Sequence, residues 1–133
     1  MSPRAIIGTS KVAEPFWEAA KEKRLVLQRC GGCKKFVFYP REFCPHCFGE
    51  SLSWEEASGE GSIYAISVMH KPGNPLMAGE VPYAVALVEL KEGVRMLTNL
   101  VGCKPGEGQV GMKVRVTWEA LPDGRNLPLF EPA

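Results

Sequence analysis

The chain has 133 residues, 45% of them apolar and 23% charged, with a formal net charge of +1. That length holds one or two small units, and the near-neutral balance lacks the strong basic field of an electrostatic nucleic-acid binder. No stretch approaches the ~20 apolar residues of a membrane span, and the opening MSPRAIIGTSKVAEP has no apolar run of signal-peptide length.

The first predicted element is a short helix. Glu14 and Pro15 open it, since a proline in the first turn loses no hydrogen bond. Phe16, Trp17 and Ala20 gather on one side, with Glu18, Lys21, Glu22 and Lys23 polar. Roughly three turns are unstable alone, so Phe16 and Trp17 must dock on the chain's own core or on another subunit.

Residues 25–53 form the second element. LVLQRC predicts a strand entering the pair Cys30–Cys33, and KKFVFYPREFC a strand and loop delivering Cys44–Cys47. The pairs read CGGC and CPHC, ten residues apart, and two such knuckles can close a tetrahedral S4 site. Gly31 and Gly32 are expected to supply the positive φ of the first turn, and Pro45 to stiffen the second. A thioredoxin-type redox motif needs a strand before it, a helix after it and one pair only. A disulfide framework suits a secreted chain, which nothing here marks. The favoured reading is a structural zinc site, with iron fitting the same four ligands. Four thiolates leave no open position for water or substrate, so the site is closed. Thiols, a metal site and no leader point to the cytoplasm. A module this small needs such a staple to fold.

His46 is expected at an exposed knuckle tip. The fifth cysteine, Cys103, has no evident histidine partner, since the chain's histidines are His46 and His70. Within FVFY, Phe36, Phe38 and Tyr39 exceed what so small a ribbon can bury, which leaves packing on the next unit and binding a partner both open.

The third element, from about residue 59, is strand-rich. SIYAISVMH (62–70), PYAVALVEL (82–90), RMLTNLVG (95–102) and KVRVTWEAL (113–121) carry β-branched and aromatic residues, and LPLF (127–130) offers a fifth strand. SGEG, KPGNP, KEG, KPGEG and PDG separate them. Five short strands predict a closed barrel, with an OB-like barrel the leading candidate. The fold class is therefore mainly β, with units at 1–24 (N-terminal helical segment), 25–53 (metal ribbon) and 54–133 (barrel). Glu55 and Glu56 are read as solvated turn charges, and Trp118 as core.

The segments PFWEAAKEKRLVLQRCGGC, FVFYPREFCPHC, SGEGSIYAISVMH, PYAVALVELKEGVRMLTNLVG and VGMKVRV occur in one order. The chain resembles, over residues 14–131, the proteins that join a rubredoxin-like zinc ribbon to an acyl-CoA-associated OB-fold. The resemblance implies zinc on Cys30, Cys33, Cys44 and Cys47. It also implies a non-catalytic accessory subunit of a thiolase-fold enzyme of CoA-thioester metabolism, such as a thiolase, acyltransferase or retro-aldolase. CoA or the acyl group would then lie in a groove shared with that partner. Phe16, Trp17, Phe36, Phe38 and Tyr39 are the candidate partner surface, and no catalytic residue carries over. Two other readings compete. One is single-stranded nucleic-acid binding, which the few barrel aromatics Tyr64, Tyr83 and Trp118 serve poorly. The other is CoA binding by the isolated chain through Lys71, Lys104 and Arg41.

Overall fold

A computed structural model describes residue 8 and residues 10–133. Most of the expected 1–24 segment before its helix, residues 1–7 and 9, lies outside the described residues.

A 3-10 turn, Lys11–Ala13, leads into helix α1, Glu14–Lys21, with Pro15 in its first turn. The helix ends where Lys23 takes φ 59°. Its N–H donates to the Ala20 carbonyl and that of Arg24 to the Ala19 carbonyl, both at 3.0 Å. This paired closure is a Schellman motif with lysine at the left-handed position. The helix buries Phe16, Trp17, Ala19 and Ala20.

Three strands follow as a small antiparallel sheet: β1 (Val26–Cys30), β2 (Phe36–Val37) and β3 (Leu52–Glu56), with β1 central. β3 pairs with β1 from Val26↔Glu56 to Cys30↔Leu52, so it runs through the expected 53/54 junction. Glu55 and Glu56 consequently sit on a strand, not a turn, and pair with Arg29 and Arg24 at 3.5 and 3.4 Å. The sequence LSWEE is too short and polar to announce a strand; its partner decides it.

The remaining strands are β4 (Glu60–Met69), β5 (Tyr83–Leu90), β6 (Arg95–Leu100), β7 (Lys113–Ala120) and β8 (Asn126–Pro132). They close into a barrel in the order β4-β5-β6-β8-β7, with β4 pairing β7 again through Glu60–Ser62. Neighbours are antiparallel except β6 and β8, which run parallel and share the pair Leu100↔Phe130. β4 reaches both neighbours because a register shift between Ile63 and Ala65 bends it. At Gly61 the strands come so close that a Cβ would lie 2.5 Å from the Glu89 carbonyl oxygen.

Alternation sends Ile63, Ala84, Ala86, Val88, Met96, Val114 and Phe130 inward. Phe16, Trp17 and Leu27 belong to the same buried cluster, and Phe38 and Trp54 pack against it. Helix, ribbon and barrel thus share one core. Trp118 is half-buried against it. Among the described residues, no helix is long and apolar enough to cross a membrane.

Candidate metal centre

The two knuckles repeat one hydrogen-bond pattern. Lys34 N–H donates to the Cys30 carbonyl at 2.9 Å, and Cys30 N–H to the Lys35 carbonyl at 2.9 Å. Phe48 N–H donates to the Cys44 carbonyl at 2.8 Å, and Cys44 N–H to the Gly49 carbonyl at 2.8 Å. In each, the residue after the second cysteine is left-handed: Lys34 at φ 66° and Phe48 at φ 63°. This corrects the expectation that Gly31 and Gly32 supply the positive φ. The chain has to reverse after presenting its second sulfur, so the left-handed residue comes there. Gly31 serves close approach instead, donating its N–H to the Ser51 carbonyl at 2.7 Å. A Cβ on Gly31 would stand 3.2 Å from that oxygen.

The four sulfurs of Cys30, Cys33, Cys44 and Cys47 lie within 4.8 Å of one another. Cys30 and Cys47 are 3.5 Å apart, Cys33 and Cys44 3.7 Å. A tetrahedron with 2.3 Å zinc–sulfur bonds has edges of roughly 3.8 Å, whereas a disulfide closes at about 2.05 Å. The spacing fits a shared ion, and all the cysteines are free thiols.

Backbone donors reinforce this. His46 N–H points at the Cys44 sulfur at 3.3 Å and Cys33 N–H at the Cys30 sulfur at 3.5 Å. The Cys33 N–H, opposed by burial, holds the Cys30 thiol down at about 6. At Cys47 the Gly49 N–H favours the thiolate, but the adjacent Cys30 sulfur and desolvation prevail and push it up to about 11. Crowded sulfurs oppose one another's ionisation, and a divalent cation removes that opposition. The donor set therefore fits a structural zinc ion held by these four residues. Cys30 and Cys44 are buried, Cys33 is half-buried and Cys47 exposed. His46 is exposed and lies outside the sulfur group, as expected of a knuckle tip.

A second layer fixes the loop that carries Cys44. Gln28, 4% exposed on β1, donates Nε2 to the Arg41 carbonyl at 2.8 Å and accepts the Arg41 N–H at 2.7 Å. Its amide stands in for a strand partner, pairing a loop that forms no ladder with β1 beyond Phe36–Val37.

Among the candidate surface residues, Phe16 and Trp17 are 3% and 6% exposed and stack edge-to-face at 5.1 Å within the chain's own core. Phe38 joins them, 6.0 Å from Phe16, and is half-buried. Phe36 is half-buried beneath the Arg29 guanidinium at 4.8 Å, and Tyr39 is exposed. Phe43 and Phe48 are also exposed, at 49% and 73%, with rings 6.3 Å apart at the second knuckle. Sequence reading missed them. The available signal was two phenylalanines flanking a knuckle too small to have an interior. Cys103 is a half-buried thiol whose pKa is raised by burial and by Glu107, the opposite of nucleophile activation. His46 and His70 are both exposed.

Comparison with known proteins agrees with this architecture. Residues 17–53 match the ChsH2 rubredoxin-like zinc ribbon domain and residues 54–119 the ChsH2 C-terminal OB-fold domain. A DUF35 domain-containing scaffold protein of Methanocaldococcus jannaschii is 34% identical over 114 residues, 84% of this chain and 79% of that protein. The chain belongs to the DUF35 family. In the solved Ltp2-ChsH2(DUF35) aldolase, one chain superposes with this DUF35 protein at a TM-score of 0.84 and 42% identity, covering 96% of this chain and 98% of that one. A probable enoyl-CoA hydratase alpha subunit of Thermomonospora curvata is 48% identical over 121 residues, 89% of this chain. The DUF35 chain spans only 37% of that relative's length.

Proposed function

We propose that this DUF35 chain is a non-catalytic accessory subunit of a thiolase-fold, CoA-thioester-dependent enzyme, acting in the cytoplasm. The observation that carries this reading is the likeness, over nearly its whole length, to the DUF35 component of an aldolase assembly. The candidate metal site supports it: four sulfur donors complete a tetrahedron and leave no position for substrate. Cys30, Cys33, Cys44 and Cys47 hold the ribbon rigid, and Tyr39, Phe43 and Phe48 stay on its surface. Contact with CoA or the acyl group belongs to a groove shared with the catalytic subunit.

Co-expression with a thiolase-fold protein encoded beside this chain tests the reading. The expected result is a stoichiometric complex in size-exclusion chromatography, with CoA-thioester turnover only in the presence of both chains. A monodisperse monomer alongside the folded partner would overturn it.

A further inference from the structure

The four sulfurs of the candidate metal centre are not equally sheltered. Cys30 and Cys44 are buried, Cys33 is half-buried and Cys47 is exposed. The sulfurs of Cys30 and Cys47 lie 3.5 Å apart across the two knuckles. Two glycines, one from each knuckle, border that edge. A Cβ on Gly32 would stand 3.6 Å from the Cys30 sulfur and 3.9 Å from that of Cys47. A Cβ on Gly49 would stand 3.4 Å from the Cys47 sulfur and 3.8 Å from that of Cys30. These are ordinary van der Waals distances, and neither glycine takes a left-handed φ. Space for a carbon atom against both sulfurs is also space for an oxygen of a small molecule.

The opposite edge differs. Cys33 and Cys44 are 3.7 Å apart, but no described glycine borders either sulfur. Cys44 is buried, and its sulfur accepts the His46 N–H at 3.3 Å. A metal-held sulfur is a thiolate, the form that attacks peroxides, so access decides which of the four reacts. Exposure of Cys47 and the bare glycines beside it both select the Cys30–Cys47 edge.

We propose that the Cys30–Cys47 edge is a peroxide-reactive site whose oxidation releases the structural metal. The Cys47 sulfur attacks one oxygen of hydrogen peroxide, forming an S–O bond as the O–O bond breaks and hydroxide leaves. The Cys30 sulfur then attacks the Cys47 sulfur, forming the disulfide and expelling the second hydroxide. The two thiolates lose two electrons, the peroxide gains them, and two solvent protons turn the hydroxides into two waters. The sulfurs have to close only from 3.5 Å to about 2.05 Å. Of the four donors, Cys33 and Cys44 then remain, too few to hold a structural zinc ion. The site belongs to this chain alone and stands apart from the accessory-subunit reading.

The test treats the zinc-loaded full chain with hydrogen peroxide beside a chromogenic zinc chelator and maps the product by peptide mass spectrometry without reduction. Wild type should release its zinc in step with a Cys30–Cys47 disulfide, and a dithiol reductant with added zinc should restore the metal. The double variant Gly32→Ala, Gly49→Ala should match wild type in circular dichroism and metal content. Its methyls cover both sulfurs, so it should release zinc at least about threefold more slowly. Gly73→Ala, with nothing within 4 Å of the added Cβ, is the control and should behave as wild type. Zinc retained under peroxide overturns the proposal, and so does a first disulfide through Cys33 or Cys44. Wild-type release from the folded double variant overturns the choice of edge. The disulfide map stands as a test whether or not that variant folds.

Discussion

Asn126, the first residue of the last barrel strand, donates its Nδ2 to the carbonyl of Ala20 at 3.0 Å and to that of Lys21 at 3.3 Å. One amide thereby satisfies two carbonyls at the end of a helix 105 and 106 positions away. It ties α1 to the barrel where Trp17 and Phe16 enter the shared core.

Replacing Asn126 by alanine should cost about 1–2 kcal/mol and lower the melting temperature by about 3–6 °C. The barrel's β-sheet circular dichroism should persist. Urea unfolding of the metal-loaded chain measures it, and an unchanged midpoint would show that water replaces the amide fully.

Cys44→Ser should reduce bound zinc from one equivalent to none, because Cys44 is fully buried and no histidine stands in the sulfur group to replace it. The ribbon should unfold with the loss of metal, while sheet signal from the barrel largely remains. Inductively coupled plasma spectrometry gives the first outcome and circular dichroism the second. A variant that keeps its metal contradicts the four-sulfur assignment.

Gln28→Leu removes the partner of both Arg41 backbone groups at once. Stranding them should cost about 1–3 kcal/mol and weaken zinc retention against a chelator, since Arg41 begins the loop leading to Cys44. Gln28→Glu keeps the acceptor but loses the donor to the Arg41 carbonyl, and should fall between. Equal zinc off-rates in all three chains would disconnect this pair from the metal site.

Asp123 accepts the Arg125 Nε at 2.8 Å and pairs with its Nη2 at 2.6 Å. The Arg125 side chain, through its hydrogen bonds, holds the Asp123 carboxyl below its ordinary value of 3.8. A depressed folded pKa contributes stability that is fully present above the unfolded value and is lost as pH falls through the folded one. The contribution is therefore complete at neutral pH and fades below about pH 4. Arg125 also lies over the Trp17 ring at 4.8 Å, so tryptophan fluorescence reports the change. Asp123→Asn should lower stability at pH 7 and bring the variant level with wild type near pH 3. A constant difference across that range would assign the role to shape, not charge.

The five barrel strands were legible as alternation because one face of each meets a dry interior and the other meets water. Their lengths were less so: LPLF (127–130) is the middle of a strand that runs Asn126–Pro132. β3 was missed because only its pairing with β1 makes Ser53, Glu55 and Glu56 extended. The left-handed Lys34 and Phe48 ran against residue preference, since closing each knuckle overrides the ordinary penalty of about 1–2 kcal/mol for a residue with a Cβ.

The amino-acid sequence by itself determined the kind of site and its donors. Two C-x-x-C pairs at that spacing carry their chemistry locally, in four sulfurs and the turns between them. It determined the succession of helix, ribbon and barrel as well, because hydrophobic periodicity and breakers act over a few residues. The tertiary structure alone decided which aromatics face inward. Phe16 and Trp17 went into the core while Phe43 and Phe48 stayed outside. Burial depends on neighbours brought from elsewhere in the chain: the barrel and ribbon cover the helix, whereas among the described residues none buries the Phe43 and Phe48 rings. The contact of β6 with β8, two strands that are not neighbours in the chain, likewise exists only in the folded barrel.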